Sequence, residues 1–308
     1  MGKKHDIKLV GYREAFEGSW DVVHLLDIHW GDPALLSRLK KPLIIDVHDY
    51  YWTRSFLYPA PDLPLRWLNG IHLRERYGRL IRRADLLITH SDYVSARLDH
   101  AHVLNVGMGI DVTRFNTKTD HASRQAIVLF AGSNYFRKGL VTLWRALPLV
   151  RRHCPAVHVL IAGYERPHTL FLARRLLSKS PATILGPISA TDLALLYTRA
   201  KVLVLPSEIE ACGIAPLEAL AAGTPPVCST AGGIPEMIEH DVTGLLCAPG
   251  DYRALSRHIV SCLTDSDLAN RLIENGRKAL SGRLSLGNMV DKIEAAYVAA
   301  QKVAQSRA

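Results

Sequence analysis

Short apolar runs, many of them rich in β-branched residues, alternate along the chain with longer stretches in which apolar residues recur every three or four positions. The runs predict buried strands at Asp21–Leu26, Pro42–Val47, Leu86–Thr89, Val103–Val106, Ala126–Ala131, Val157–Ala162, Thr183–Leu185, Val202–Leu205, Pro226–Cys228 and Gly244–Cys247. The longer stretches predict helices at Leu140–Arg152, His168–Leu177, Ala190–Arg199, Ile214–Ala222 and Ile234–His240, and then from Tyr252 to about Ala304. Alternation of this kind predicts an α/β fold in which parallel sheets are covered by helices on both faces.

A polar stretch without a hydrophobic period, Asn116–Arg124, separates two such groups of elements. We therefore predict a domain boundary there, with one Rossmann-like domain in residues 1–115 and a second in residues 116–284. Two domains of this kind are expected to face a cleft, with ligands at the carboxyl ends of the strands. Residues 285–308 are expected to form a last helix.

The charge and the cysteine content narrow the classes of partner and compartment. The chain has 308 residues, with 38 Lys and Arg against 29 Asp and Glu and a formal net charge of +9. This excess predicts a negative partner, either a phosphate-bearing ligand, an anionic membrane surface or nucleic acid. The five cysteines are widely spaced and form no C-x-x-C, which argues against a disulfide framework and a zinc site and favours a reducing, cytoplasmic compartment. No apolar run approaches the roughly 20 residues that a membrane-spanning helix needs, and we expect no secretory signal.

The segment that is most informative about chemistry follows the predicted strand at Val202–Leu205. Gly213 allows backbone to approach a ligand closely, and the helix predicted to begin near it offers N–H groups to a diphosphate. Glu210 lies before this helix and Glu218 about one turn inside it, so both can accept hydrogen bonds from sugar hydroxyls. Taken alone, the two residues are better explained as an acid that complements the helix dipole and an ordinary surface glutamate.

The context of the two glutamates changes this interpretation. The pattern Pro-Ser-x-x-Glu-x-x-Gly-x-x-x-x-Glu-Ala, which contains Glu-x7-Glu, closely resembles the signature of the retaining glycosyltransferases of family 4. The resemblance continues through Gly223–Val227 and Gly232–Glu236 and ends at Gly244–Leu246. Upstream, Gly132–Gly139 resembles the phosphate-gripping loop of that family, and Gly186–Ile188 resembles its base-binding loop.

The resemblance implies the GT-B fold, in which two Rossmann-like domains face a cleft and the last helix packs back on the first domain. It implies transfer of a sugar from a UDP- or GDP-sugar to a glycan, a lipid-linked or a small-molecule acceptor, with retention of the anomeric configuration. The nucleotide sugar is then a substrate, and neither a metal nor a cofactor is expected. Asp265-Ser266-Asp267 superficially resembles a metal-binding Asp-x-Asp motif, but it precedes a late helix and is predicted to cap it.

The roles of single residues are also implied by the resemblance, position by position. The catalytic candidates are Lys138 on the donor diphosphate, Glu210 on the transferred sugar and His48 against the same sugar. The donor-binding candidates are Glu218 on the ribose hydroxyls, Arg137 and Ser133 in the phosphate loop, Pro187 and Ile188 in the base-binding loop, and Cys212, Gly213 and Ile214 before the second glutamate's helix. Ser133 stands where many relatives have arginine, and we expect Arg137 to supply the missing charge. The structural alternatives are a solvated Lys138, a satisfied core histidine at His48 and a Cys212 that only packs.

The front of the chain departs from the family pattern, which opens with a strand, a Gly-Gly loop, a helix and a second strand. His5–Tyr12 resembles the second strand, and only Met1–Lys4 precedes it. The first domain is therefore expected to lack its first strand and its Gly-Gly loop. We leave three explanations open: a trimmed enzyme, a misplaced start of the reading frame, and a domain that a partner chain completes.

A basic stretch with interleaved apolar residues runs from Leu65 to Arg83. It fits contact with an anionic membrane, which would place the protein at the periphery of the inner face. A solvated helix that packs its apolar side on the first domain fits the pattern equally well. Two other functions stay open, a catalytically impaired sugar-nucleotide-binding or partner-binding protein and a nucleotide-sugar 2-epimerase. Nucleic-acid binding is not expected, because charge alone supports it and no recognised module is present.

Overall fold

The computed structural model describes residues 8–50, 63–115 and 121–307 and divides the chain into two compact units. The first unit comprises residues 1–107 and 287–308, and the second comprises residues 108–286. Each unit has a parallel sheet with helices, which confirms the predicted α/β class. In the described part of the chain, no helix is long and apolar enough to cross a membrane.

The sheet of the first unit has four parallel strands in chain order. These are β1 (Val23–Leu25), β2 (Leu43–Val47), β3 (Leu86–Thr89) and β4 (Val103–Asn105). The helices of this unit are α1 (Tyr12–Glu17), α2 (Pro33–Leu36), α3 (Leu63–Arg83), α4 (Asp92–Ser95) and, after the second unit, α12 (Leu286–Arg307). β2 and β3 are buried over their whole lengths, as expected for continuous apolar runs in a parallel sheet. Ala296 and Ala300 of α12 pack against Ile44, Ile88 and Val106, so the end of the chain contributes to the core of the first unit.

The sheet of the second unit has six parallel strands in the order β10-β9-β8-β5-β6-β7. Their bounds are β5 (Ile127–Ala131), β6 (His158–Ala162), β7 (Ala182–Gly186), β8 (Val202–Leu205), β9 (Pro226–Ser229) and β10 (Leu245–Cys247). The helices are α5 (Leu140–His153), α6 (Pro167–Leu177), α7 (Ala190–Arg199), α8 (Ala215–Ala221), α9 (Ile234–Met237), α10 (Tyr252–Thr264) and α11 (Ser266–Ser281).

Successive residues of the central strand β5 serve two different cores. Val128 and Phe130 pack with α5, α6 and α10 on one face of the sheet. Leu129 and Ala131 pack with α7, α8 and α9 on the other face. This alternation is the two-residue period of a strand that is covered on both sides.

The strand expected at His5–Tyr12 is not found in its described part. Lys8–Gly11 forms no strand, and Tyr12 begins α1; the other residues of the stretch, and Met1–Lys4, lie outside the described residues. The amide of Ala15 donates to the carbonyl of Gly11 at 3.0 Å, and the amide of Gly18 donates to that of Glu14 at 2.9 Å. The carbonyl of Gly11, which a strand would have needed for its neighbour, is thus used by the first turn of α1.

The second unit begins earlier than the predicted boundary after Phe115. Ile110 and Phe115 are buried in its core, and Ile110 forms a β-bridge with Ser285. Residues 116–120 of the expected linker lie outside the described residues. Its last residues are tied to the second unit, because Arg124 donates to the carbonyl of Ala200 at 3.1 Å and to Oγ1 of Thr224 at 2.6 Å. The polar side chains of this stretch therefore bond to the ends of strands in the second unit, although their polarity in the sequence suggested a linker.

The basic helix α3 does not present an apolar side to solvent in the part whose side chains are described, residues 73–83. Tyr77, Leu80 and Ile81 are buried in the first unit, whereas Arg74, Arg79 and Arg82 are exposed. This part of α3 is thus a solvated helix that packs on its own unit, as the second of the two interpretations predicted. The side chains of Leu65–Leu68, which belonged to the membrane hypothesis, lie outside the described residues.

Candidate functional site

The strand order of the second unit reverses between β5 and β8, which are neighbours in the sheet. From β5 the chain moves outward through β6 to β7, and it then returns to β8 and continues the other way to β10. In open α/β sheets, ligands bind at such a switch point, outside the carboxyl ends of the strands. The two loops that leave these ends are residues 132–139 after β5 and residues 206–214 after β8.

The loop after β5 is held tightly against the loop after β8. Gly139, the residue before α5, has a φ of +85°, and a Cβ atom there would lie 1.9 Å from the carbonyl oxygen of Pro206. The amide of Glu208 donates to the carbonyl of Arg137 at 2.9 Å. Only glycine fits at position 139, and the close approach of backbones that it permits brings the two loops together.

Glu165, in the loop after β6, fixes the other side of the loop after β5. Its Oε2 atom accepts from the amide of Tyr135 at 2.5 Å, and its Oε1 atom accepts from the amide of Arg166 at 2.9 Å. The Tyr135 hydroxyl donates to the carbonyl of Gly163 at 2.6 Å. No sequence motif marks Glu165, because it lies thirty positions from Tyr135 and outside the motifs.

A buried ion cluster occupies the switch point. The ammonium group of Lys138 donates to Oε2 of Glu210 in a short contact, and Nη1 of Arg137 lies 3.6 Å from Oε1 of the same carboxylate. Ser207 donates to Oε2 of Glu210 at 3.1 Å, and the amide of Ala211 donates to its Oε1 at 3.2 Å. The structure therefore brings together three of the sequence-predicted site residues, with the cations of Lys138 and Arg137 beside the carboxylate of Glu210.

Burial decides the electrostatics of this cluster. The side chain of Glu210 is 4% exposed and that of Lys138 is 12% exposed. Burial lowers the pKa of Lys138 below its ordinary value, although the neighbouring Glu210 carboxylate opposes this shift. A buried ammonium group is expensive unless it is paired, so the contact with Glu210 is what keeps the charge in place. Lys138 is accordingly not the solvated lysine that one interpretation of the sequence allowed.

Two glycines shape the backbone around Glu210. Gly213 has a φ of +82°, which favours glycine, and it lies against the Glu210 side chain. Gly232, after β9, has a φ of +60°, and a Cβ atom there would lie 1.8 Å from the carbonyl oxygen of Glu210. The amide of Gly233 donates to the carbonyl of Ala211 at 2.9 Å. The Gly232-Gly233 pair therefore supports the loop that carries Glu210.

Glu218 lies in α8, half-buried, and its Oε2 atom accepts from the hydroxyl of Tyr197 at 2.8 Å. Burial, and next the Glu218 charge, raise the pKa of Tyr197 well above its ordinary value, so the phenol stays protonated and acts as a donor. Tyr197 of α7 thus fixes the orientation of one carboxylate oxygen of Glu218. No sequence motif marks Tyr197, because its hydrogen bond to Glu218 joins two different helices, α7 and α8.

The other sequence-predicted residues of the second unit differ in how far their side chains are exposed. Ser133 is exposed, and its hydroxyl accepts from the amide of Tyr164 at 3.3 Å. Pro187 is exposed just after β7, whereas Ile188 packs partly against the core. Ile214 is 45% exposed next to α8, whereas Cys212 is 5% exposed and belongs to the core, in agreement with a packing role. The side chain of Asp265 accepts from the amide of Leu268 at 2.9 Å and caps α11, as predicted.

His48 lies in the first unit, at the carboxyl end of β2, and belongs to a cluster with Asp46 and His90. His90 is buried between the Asp46 carboxylate, at 3.0 Å, and the carbonyl of Gly107, at 2.8 Å. Burial opposes the charge of His90, but its bonds to Asp46 prevail and raise its pKa above the ordinary value. His48 is half-exposed and donates through Nε2 to the carbonyl of Leu26 at 2.8 Å, so it is not a core histidine.

The cluster of Asp46, His48 and His90 has the side-chain types of a metal site but not its geometry. Their ligand atoms lie within 4.8 Å of one another. However, the imidazole rings of His48 and His90 are stacked, with centroids 4.9 Å apart and planes inclined by 2°. Nitrogen lone pairs lie in the ring planes, so two stacked rings cannot both point at one ion. The arrangement fits a hydrogen-bonded network instead.

Comparison with known proteins places the chain among sugar-transferring enzymes. A family model described as glycosyl transferases group 1 matches residues 111–279. A glycogen synthase from Mycobacterium tuberculosis is 30% identical over 306 residues, which cover 92% of this chain and 70% of that protein. A D-inositol 3-phosphate glycosyltransferase from Saccharomonospora viridis is 28% identical over 269 residues, with 77% of this chain and 61% of that protein covered.

Solved structures show the same fold at low sequence identity. A sucrose-phosphate synthase from Thermosynechococcus elongatus superposes with a TM-score of 0.75 at 22% identity and covers 91% of this chain and 74% of its own. HepE from Anabaena, solved in complex with UDP and glucose, superposes with a TM-score of 0.72 at 19% identity and covers 92% of this chain and 79% of its own. These likenesses confirm the predicted GT-B fold class of two parallel α/β units.

Proposed function

This chain belongs to the glycosyl transferases group 1, and on that premise we propose that it transfers a hexosyl group from a nucleotide-diphosphate donor with retention of the anomeric configuration and without a metal ion. The observation that carries the proposal is the buried cluster of Lys138, Arg137 and Glu210 at the switch point between β5 and β8. It combines positive charge for a diphosphate with a carboxylate for sugar hydroxyls. HepE was solved in complex with UDP-glucose, which supports a nucleotide sugar as the kind of donor.

Lys138 and Arg137 would bind the donor diphosphate. Two cations stand against one carboxylate, so the cluster has an excess of one positive charge. When the bond to the sugar breaks, negative charge grows on the leaving diphosphate, and fixed cations in a buried site stabilise it strongly.

Glu218 would accept hydrogen bonds from the ribose hydroxyls of the donor. One of its oxygens is already held by Tyr197, so the other is available to the ligand in a fixed orientation. Tyr197 is then a positioning residue, which acts through Glu218. Pro187 and Ile188, at the end of the neighbouring strand β7, would contact the base.

Glu210 would orient the transferred sugar rather than attack it. Its carboxylate accepts from Lys138, Ser207 and the amide of Ala211, and this shared charge makes it a poor nucleophile. On the retaining route, the leaving phosphate takes the proton of the acceptor hydroxyl while the acceptor bonds to the same face of the sugar. For His48, half-exposed at the carboxyl end of β2, we keep the role towards the donor sugar that the family resemblance implies.

A transfer assay with a panel of donors tests the proposal. Thermal shifts with UDP, GDP, ADP and their common sugars would first identify the base, and binding should require the diphosphate. The chosen donor is then incubated with candidate acceptors in the presence of EDTA, and we expect transfer to continue with the α-configuration of the donor kept in the product. Loss of transfer with EDTA that Mg²⁺ or Mn²⁺ restores would contradict the metal-independent route. Donor binding without transfer or hydrolysis would favour the sugar-nucleotide-binding alternative.

A further inference from the structure

The three helices that cover one face of the second sheet, α5, α6 and α10, contain no aspartate or glutamate. Their only ionic residues are arginines, and the five of α5 and α6 are exposed: Arg145, Arg151, Arg152, Arg174 and Arg175. Every helix associated with the opposite face or the edge of this sheet, α7, α8, α9 and α11, carries at least one acid. The positive charge of the second unit is therefore concentrated on one side.

The arginines of this layer are not engaged by carboxylates within the described residues. The salt bridges of the described chain involve none of them, and Arg145 instead lies over the ring of Tyr252 at 4.1 Å from its centroid. Arg253 and Arg257 of α10 are exposed in the same layer. The acidic residues next to these helices accept hydrogen bonds from backbone amides or from a hydroxyl. Asp251, for example, caps α10 by accepting from the amide of Ala254 at 2.9 Å. A row of uncompensated guanidinium groups favours phosphate or carboxylate groups of another molecule.

Large apolar side chains are exposed among these arginines. Phe171 is 63% exposed, Leu172 is 43% exposed and Trp144 is 38% exposed, all on α5 and α6. Other residues of the same two helices lie in the core, so α5 and α6 carry apolar side chains on their inner side as well as at these outer positions. Exposed apolar groups next to arginines fit a surface that offers both negative headgroups and hydrocarbon.

We propose that the arginine layer of α5, α6 and α10 docks on an anionic phospholipid surface, with Phe171 and Leu172 inserted at the level of the acyl chains. The inserted pair distinguishes this occupant from a nucleic acid, on which an aliphatic side chain such as Leu172 has no stacking partner. The layer is separate from the described face of α3, whose apolar residues are buried. It is also distinct from Lys138, Glu210 and Glu218, so the proposal does not depend on the function proposed above.

Co-sedimentation with vesicles tests the proposal. The full chain should bind vesicles of phosphatidylcholine and phosphatidylglycerol, and should bind phosphatidylcholine alone much more weakly. Replacing Arg174→Gln together with Arg175→Gln should weaken binding to the anionic vesicles about 30-fold, on the basis of about fivefold for each basic residue near such a surface. A matched control removes the same charge elsewhere, Arg199→Gln in α7 together with Lys278→Gln in α11, and should leave vesicle binding almost unchanged.

A second variant separates insertion from simple charge attraction. Phe171→Ser keeps every charge, and we expect about tenfold weaker binding to the anionic vesicles, with unchanged thermal unfolding because the side chain is exposed. The proposal would be overturned by equal binding to neutral and anionic vesicles, by equal losses in the arginine pair and its control, or by full vesicle binding of Phe171→Ser. Binding of a single-stranded oligonucleotide without any vesicle binding would also overturn it and assign the layer to nucleic acid.

Discussion

At the scale of single residues, the second unit shows how one buried carboxylate can organise two cations. Glu210 accepts from Lys138 and Ser207 and lies near Arg137, while the adjacent glycines keep its loop in place. Breaking a buried pair by removal of one partner leaves an uncompensated charge and commonly costs about 3–5 kcal/mol. Variants that keep the charge are therefore more informative than truncations at this cluster.

The lowered pKa of Lys138 predicts an alkaline limit to activity. A lysine carries its charge below its pKa, so the cation that we propose for the diphosphate is present at low pH and is lost as the pH rises through the lowered value. We expect kcat/KM, which reports the free enzyme, to fall on a limb that begins below the ordinary lysine pKa of 10.5. Lys138→Arg should move this limb to higher pH, because arginine does not deprotonate in this range.

Lys278→Arg, an exposed position in α11, serves as the control for this experiment and should leave the pH profile as it is. An alkaline limb that stays in place in Lys138→Arg would mean that another group causes it.

The half-buried Glu218 predicts a loss of donor affinity that depends on the ribose. Glu218→Ala removes a charged acceptor from the ribose hydroxyls and should weaken donor binding by about 1.5–3 kcal/mol. Tyr197→Phe should cause a smaller loss, because it only frees the orientation of the carboxylate. Calorimetry with the donor and with its deoxyribose analogue measures both effects.

The analogue should bind Glu218→Ala nearly as well as it binds the unchanged protein. Glu274→Ala removes an exposed carboxylate from α11 and should bind the donor normally. Normal donor binding by Glu218→Ala would refute the assigned role.

At the scale of elements, the loops at the carboxyl ends of the strands support one another through backbone contacts that only glycine allows. Gly139 packs on Pro206, and Gly232 packs on Glu210. The site is therefore built by β5, β8 and β9 together rather than by one motif. A substitution in any of the three loops should therefore change the conformation of the other two.

Gly232→Ala tests this dependence. The new Cβ atom would lie 1.8 Å from the carbonyl oxygen of Glu210 at a φ of +60°. We expect the free energy of unfolding to fall by at least about 2 kcal/mol, because both the backbone conformation and the contact must change. Urea unfolding measures this loss, and donor affinity should fall with it.

Gly287→Ala is the matched substitution in α12, where a Cβ atom meets nothing within 4 Å. It should leave stability unchanged or slightly higher, since alanine has the higher helix propensity. A Gly232→Ala protein with the stability and affinity of the unchanged chain would show that the loops are less dependent on one another than their packing indicates.

The strands of both units could be predicted because their apolar runs are short, β-branched and bounded by turn residues. The prediction for Val202–Leu205 agrees with β8, whereas the helix predicted at Ile234–His240 ends at Met237, where Ile238 turns to extended backbone. The grouping of Lys138 with Glu210 followed from the family motifs. The supports of the site could not be predicted, since Glu165 and Tyr197 act on residues that are distant in sequence and carry no pattern of their own.

At the scale of the whole molecule, the two units differ in how fully their sheets are built. Within the described residues, the first has four strands, of which β1 and β4 contain three residues each, whereas the second has six strands with helices on both faces. In the described part of the first unit, β1 pairs only with β2, so its outer edge keeps backbone groups without a ladder partner. The predicted absence of a first strand, and its completion by a partner chain, remain predictions.

Hydrogen exchange tests the consequence of this difference. We expect amides before Asn116 to be less protected than those of Val128–Leu246, because a smaller sheet with short outer strands opens more easily. The packing of Ala296 and Ala300 of α12 on β2 and β3 should reduce the difference without removing it. Equal protection in the two segments would contradict the prediction. Upstream residues that encode a strand and a Gly-Gly loop, if the reading frame supplies them, should raise protection in the first unit.

The contact between Lys138 and Glu210 has one more consequence, for the selection of ligands. In the proposed donor site, Lys138 and Glu210 compensate each other while the site is empty, and Arg137 adds a second cation. A nucleoside diphosphate that draws Lys138 away would take the strongest charged partner from Glu210, whereas an intact sugar nucleotide would supply a diphosphate to the lysine and hydroxyls to the glutamate. We therefore expect the pair to favour an intact sugar nucleotide over the nucleoside diphosphate alone. On the proposed function, the spent nucleotide would then bind more weakly than the donor, which would favour its release.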